Sequence, residues 1–234
     1  MAAESAGSRV ARGLRDRLRT GALPPGTVLS QAEIAAEYGT SRIPVRDALH
    51  ILSTEGLVEL GVAGAAVTGL SIAELQELYE MREAIEPVVT AIAVPNVGRA
   101  EVAQMAALAE QMETEGISPA DWLEANARFH ALVYERADRP RMVALTEQLR
   151  RLTDRYVYLH LDVIGDVEHL HDEHRRILAA VRWGAPREVA DLTRLHLETS
   201  HDFILRYLLR TAQSGGPDPS GRIVPARPEG GTRA

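Results

Sequence analysis

The sequence contains no cysteine and no lysine, and all 26 of its basic residues are arginine. Without cysteine no disulfide framework can form and no zinc site can use thiolates. The exclusive use of arginine reflects codon bias more than physics. Long apolar runs are missing as well. The longest uncharged stretch, Leu60 to Ala73, carries three glycines and falls short of the roughly 20 apolar residues that cross a bilayer. No secretory apolar region follows Met1, so a cytoplasmic location without membrane attachment is expected. No internal repeat is visible.

What is present is the profile of a folded chain: 234 residues, 45% hydrophobic and 25% charged, with a formal charge of −7. That length accommodates one or two domains, each able to bury its own core. Charge is uneven between the parts. Residues 1–70 hold seven arginines against seven acidic residues, whereas residues 71–234 hold nineteen against twenty-six. The acidity therefore belongs to the second part. It excludes a protein that coats nucleic acid nonspecifically and leaves room for a small neutral module with a local basic face.

Helical periodicity dominates. Val10, Leu14 and Leu18 recur at i, i+4, i+8 in an amphipathic segment stopped by Gly21. After Pro24-Pro25-Gly26, Ser30 is placed as N-cap of a short helix ending at Gly39, with Glu33 as its capping-box partner. A third helix runs from Ser41-Arg42 to about Glu55, with Ile43, Val45, Leu49, Ile51 and Leu52 as its apolar positions. Leu57 to Leu60 and Ala65 to Leu70 flank Gly61 to Gly64 as a small hairpin. Ser71 to Glu74 opens the second part with another capping box. Helices follow over roughly 71–94, 98–115, 119–137, 140–160, 166–183 and 186–211, with a kink expected at Pro87. Six helices without a strand signal make an all-α bundle. Residues 214–234 hold five glycines and four prolines, the composition of a flexible tail.

Residues 31–56 form helix, tight turn and helix, which is helix-turn-helix geometry. Arg42 and Arg46 lie at i, i+4 near the start of the second helix, on the face opposite Val45, Leu49 and Leu52. Two adjacent guanidiniums there suit phosphate oxygens and guanine edges. An arbitrary arginine pair on a helix is more often plain surface charge. The segments Leu23-Pro24-Pro25-Gly26-Thr27-Val28-Leu29, Thr40-Ser41-Arg42-Ile43-Pro44-Val45-Arg46-Asp47-Ala48-Leu49 and Leu52-Ser53-Thr54-Glu55-Gly56-Leu57-Val58 resemble the winged-helix domain of GntR-type bacterial transcription regulators. The resemblance implies that Arg42 and Arg46 contact operator DNA, with Ser41 and Pro44 setting the helix start. Two positions depart from it: Ala32 stands where some relatives carry an arginine, and the wing Gly61 to Val67 lacks a basic residue. Affinity is expected to rest on the recognition helix.

Of eight histidines, three share a pattern. His130 lies four residues after Asn126 on one helix, and His174 and His196 occupy two others. Side chains converging from facing helices are how bundles build metal sites, and three imidazoles suit Zn, Ni, Mn or Fe. Lone helical histidines, in contrast, are usually satisfied by a carbonyl or by water. Residues 71 to about 211 are similar to the FCD effector-binding domain of the FadR branch of GntR regulators, in the shorter VanR-like subgroup. The resemblance implies a divalent metal held by Asn126, His130, His174 and His196. Asn126 replaces the more usual Asp, with two alternative consequences: a lower metal affinity, or a more cationic site that would favour an anionic effector. The resemblance also points Arg82 towards the effector cavity. The other reading of Arg82 is a surface i, i+4 pair with Glu86.

The sequence thus supports a mostly α protein: a winged helix-turn-helix over 1–70, a six-helix effector- and metal-binding bundle over 71–213, and a tail. Its expected function is regulation of transcription, as a repressor, by a homodimer on a palindromic operator under control of a small carboxylate. Two alternatives stay open. One is a metal-dependent hydrolase or oxygenase on the histidine-rich bundle, with Glu173 as the nearest general base, and the other is a regulator for which the metal itself is the signal.

Overall fold

The computed structural model describes residues 5–62, 64–163 and 168–215. The chain divides into two compact units, one closing at Ser71 and one spanning Ile72–Leu209.

In the first unit, α1 (Ala6–Arg19) starts where the Ser5 hydroxyl accepts from the Ser8 amide at 3.0 Å. Its apolar stripe of Val10, Leu14 and Leu18 is buried. The short α2 (Gln31–Glu37) is capped by Ser30, which accepts from the Glu33 amide. Gly39 makes the turn at φ +59°, a left-handed conformation that costs glycine little. Then α3 (Arg42–Thr54) buries Val45, Ala48, Leu49 and Leu52. Ile43 and Ile51, apolar positions outside the inward set of Val45, Leu49 and Leu52, are 64% and 39% exposed. The inward stripe passes through Ala48, so both isoleucines fall outside it.

The hairpin is present as β2 (Val58–Leu60) and β3 (Gly64–Val67), but the sheet has a third strand that periodicity did not reveal. Val28–Ser30 forms β1, which pairs antiparallel with β3 to give the order β1-β3-β2. Ser30 faces Gly64 across that pairing. A Cβ at Gly64 would sit 2.1 Å from the Leu29 carbonyl oxygen, so only glycine lets the strands approach there.

The second unit contains six α-helices among the described residues: α4 (Ile72–Ala93), α5 (Arg99–Met112), α6 (Pro119–Tyr134), α7 (Pro140–Val163), α8 (Glu168–Arg182) and α9 (Pro186–Gly215). α4 runs through Pro87 as one helix. α9 extends past the expected end, so Ser214 and Gly215 are helical, and the rest of the expected tail lies outside the described residues. α6 is the central helix. Ser118 caps it by accepting from the Asp121 amide at 3.1 Å, Pro119 opens it, and Trp122, Leu123, Ala125, Phe129, Leu132 and Val133 are all buried. Asp121, Glu124 and Arg128 take the exposed strip of this helix, whereas Asn126 and His130 fall on its covered faces and are buried.

Candidate DNA-reading face and histidine centre

On α3, Arg42 and Arg46 are both exposed, as the helix-turn-helix reading expects. Ser41 is the N-cap by backbone conformation, but its side chain makes no capping bond, and the residue is exposed. It starts the helix without holding it. Pro44, at the third helical position, gives up an amide that has no intrahelical acceptor anyway. Ile43 lies outside the packed stripe, exposed among these polar residues. Ala32 is exposed, and so is Val62 in the wing. Arg15 of α1 donates to both carboxylate oxygens of Glu55, at 2.9 and 2.7 Å, which ties α1 to the C-terminal end of α3.

In the bundle, α6, α8 and α9 bring His130, His174 and His196 together, all buried. One ring nitrogen from each lies within 4.8 Å of the others, and this is the one such group of metal-competent donors among the described residues. Local bonds orient two of the rings. His174 donates from Nδ1 to the Leu170 carbonyl one turn back, at 2.7 Å, and His196 places Nδ1 2.6 Å from a Glu173 carboxylate oxygen. Both carbonyl and carboxylate can only accept, so the proton of each neutral ring sits on Nδ1 and Nε2 carries a free lone pair. Nε2 of His174 faces the Asn126 Oδ1 at 2.9 Å and the His130 Nε2 at 3.3 Å. A cation among these atoms would satisfy acceptors that otherwise confront each other, so the residues fit a divalent metal.

Burial, followed by the charge of the neighbouring imidazole His174, holds His130 well below the ordinary histidine pKa; burial, followed by His196, does the same for His174. Both rings are therefore neutral near pH 7 and competent as ligands. Glu173, the candidate general base, is bound to His196 and orients that ring.

A small, partly open cavity of about 20 Å³ adjoins the histidines, lined by Arg82, Trp122, Asn126, Arg150, Asp154 and Ser200 among others. Arg82 combines features of both sequence readings: it lines the cavity, and it pairs with Glu86, but the pair is buried rather than on the surface. Its Nε donates to Glu86 Oε1 at 2.6 Å and its Nη1 to Thr153 Oγ1 at 3.0 Å. The Tyr134 hydroxyl donates to the other Glu86 oxygen at 2.6 Å. Burial disfavours the Arg82 cation, but Glu86 outweighs it and keeps the guanidinium firmly protonated. Arg150, Trp122 and Asp154 were not foreseen. A usable signal existed for Arg150, which continues the buried stripe of α7 through Thr146, Leu149, Thr153 and Val157, whereas its neighbour Arg151 is half exposed.

A three-helix unit with a small antiparallel sheet and an exposed arginine pair, followed in the chain by an α-helical unit with a buried histidine centre, has the plan of a ligand-responsive DNA-binding regulator. The family comparisons agree. Residues 6–66 match the model described as bacterial regulatory proteins, gntR family, and residues 77–199 match the FCD domain. The chain belongs to the GntR family of transcription regulators, with an FCD domain as its second part. It is 29% identical over 189 residues to the gluconate operon transcriptional repressor of Bacillus licheniformis, covering 76% of each chain. It is 30% identical over 200 residues to the probable D-xylose utilization operon transcriptional repressor of Paenarthrobacter nicotinovorans, covering 84% of each. The solved structure of E. coli McbR/YncC superposes with a TM-score of 0.78 at 21% identity, over 88% of this chain and 99% of that one, which shows the shared fold. Members of this family are transcription regulators, so the protein is a DNA-binding regulator and the enzyme alternative falls. Among the described residues no helix is long and apolar enough to cross a membrane.

Proposed function

We propose that the protein is a repressor that binds a palindromic operator as a homodimer and is controlled by a small carboxylate at a divalent-metal site in its helical unit. Ser41, Arg42, Pro44 and Arg46 form the operator-reading end of α3, with the two guanidiniums on phosphates and guanine edges. Repression is supported by the names of the two relatives, both of which are operon repressors. Both operons concern sugars or sugar acids, which supports an effector of that chemical class. A palindrome requires two copies about a two-fold axis, hence the dimer.

The observation that carries the effector reading is the convergence of three buried imidazoles beside this cavity. His130, His174 and His196 would hold the ion, with the Asn126 carbonyl oxygen within reach, and Glu173 and the Leu170 carbonyl would keep two of the rings oriented. A bound divalent ion would supply Lewis-acid coordination for a carboxylate oxygen. The effector changes operator affinity only by preferring one of two conformations, and typical coupling of about 1–3 kcal/mol corresponds to roughly 5–150-fold. Elemental analysis with operator titration tests the reading on wild type, His174→Ala and His196→Ala. Metal content and carboxylate response should both fall in the variants, and undiminished metal in both would refute the site. Operator release by metal alone, with no response to carboxylates, would favour a metal sensor.

A further inference from the structure

The cavity beside the histidines holds two cationic side chains in different circumstances. Arg82 is matched, since Glu86 and Thr153 take its donors. Arg150, on α7, is 7% exposed and makes a single long hydrogen bond, from Nη1 to the Ala127 carbonyl at 3.3 Å. A guanidinium has five N–H donors. Among the described residues Arg150 makes no ion pair, and Asp154, which lines the same cavity, has an interaction of its own. A second donor on the wall is also unmatched: Nε1 of Trp122, 3% exposed, has no hydrogen-bond acceptor. A buried cation without a counter-charge and a buried indole N–H without an acceptor are both costly, and both line one cavity.

We propose that Arg150 and Trp122, rather than Arg82, receive the anionic group of the ligand in this cavity. This rests on the reading of the cavity as the effector site and adds which residues recognise the acid. A carboxylate entering there meets a guanidinium fork that no protein carboxylate occupies, with the unmatched indole N–H of Trp122 belonging to the same wall. Binding to Arg82 would first require that Glu86 give up one of its own bonds.

The test uses the full chain, loaded with zinc, in a Trp183→Phe background. Only two tryptophans exist and Trp183 is 84% exposed, so the remaining fluorescence reports Trp122. Acetate titrated at constant ionic strength should give a saturable change. Arg150→Gln should raise the acetate dissociation constant at least about tenfold, the scale of one lost charge-assisted bond, with zinc content per chain unchanged. Arg150→Lys keeps the charge without the fork and should fall between. Acetate bound as tightly by Arg150→Gln as by wild type overturns the assignment and leaves the metal and effector reading intact. If Arg150→Gln does not retain zinc, Arg150→Lys decides, and wild-type acetate affinity there likewise overturns it. Absence of any saturable acetate response in the zinc-loaded protein with native Arg150 overturns the acid-effector reading and this assignment with it.

Discussion

The two units of this protein place their polar chemistry in opposite positions. In residues 5–71 the one buried polar side chain among the described residues is Thr68, whose hydroxyl donates to the Gly56 carbonyl at 2.7 Å, and the arginines assigned to DNA are exposed. In the helical unit the buried set includes Arg82, Glu86, Asn126, His130, Arg150, Asp154, His174 and His196. The face proposed for DNA is a surface laid over an apolar core, and the site proposed for the effector is built from the core itself. Substitution at the first site should therefore change binding without changing stability. At the second the two should be inseparable.

The largest expected effect lies in the buried network. Glu86→Ala removes the carboxylate that compensates Arg82 and accepts from Tyr134, leaving a cation and a phenol hydroxyl unmatched in the interior. Loss of one partner of a buried pair costs about 3–5 kcal/mol, which urea unfolding of the full chain would register. A cost under 1 kcal/mol would mean that water reaches Arg82, which would erase the contrast with Arg150.

Next come the surface arginines. Arg42→Ala and Arg46→Ala should each weaken operator binding by about 1–3 kcal/mol if the contact is to a base edge, and leave the unfolding midpoint within about 0.5 kcal/mol of wild type. A salt-controlled operator titration in which the double variant binds like wild type would remove the recognition face from α3. Conversely, a large stability loss would show that these side chains do structural work, contrary to their exposure.

How far these contrasts were legible in the sequence differs between the units for a physical reason. In the winged helix, turn residues and an apolar stripe mark the elements, so Gly39, Val45, Leu49 and the hairpin were placed correctly. The strand Val28–Ser30 was not, because three residues show no alternation and Ser30 already serves as a cap. In the bundle the three histidines emerged from spacing together with family resemblance, since the sequence shows which residues share a helix and not which helices face each other. Arg150 stands between Leu149 and Arg151, and only its register with Thr146 and Thr153 separates it from its arginine neighbour.

Acid should affect the units unequally. His130 and His174 are held neutral in the folded protein, with pKa values well below the ordinary 6.5, while the unfolded chain protonates them near that value. Below pH 6.5 the unfolded state therefore binds more protons, so stability is complete above that value and falls as pH drops towards the folded-state values. The slope is up to about 1.4 kcal/mol per pH unit for each ring in metal-free protein. Metal affinity of the folded protein should decline only lower, as pH approaches the folded-state values, where protons begin to compete for the lone pairs. Unfolding curves between pH 5 and 7 for wild type and His130→Gln measure this directly: the variant should lose part of the slope, and an unchanged slope would assign the acid sensitivity to other groups.

The smallest effect is expected at the Arg15–Glu55 pair, which resembles Arg82–Glu86 in geometry and differs from it in exposure. Its side chains are 25% and 26% exposed, so solvent screens the attraction, and the pair should contribute no more than about 1 kcal/mol. The two halves are not equivalent. Glu55 is the C-cap of α3, where the helix dipole already concentrates negative charge, and Arg15 offsets both. Glu55→Ala loses the ion pair but also removes an unfavourable charge at the helix end, so its net cost should approach zero. Arg15→Ala loses the pair and leaves that carboxylate uncompensated, so it should be the more destabilising by a few tenths of a kcal/mol. Urea unfolding of both single variants and the double variant at low and high salt would resolve the difference. The gap between the single variants should narrow as salt rises, and a gap of the opposite sign would mean that contacts of the Arg15 stem, rather than its charge, set the contribution of this pair.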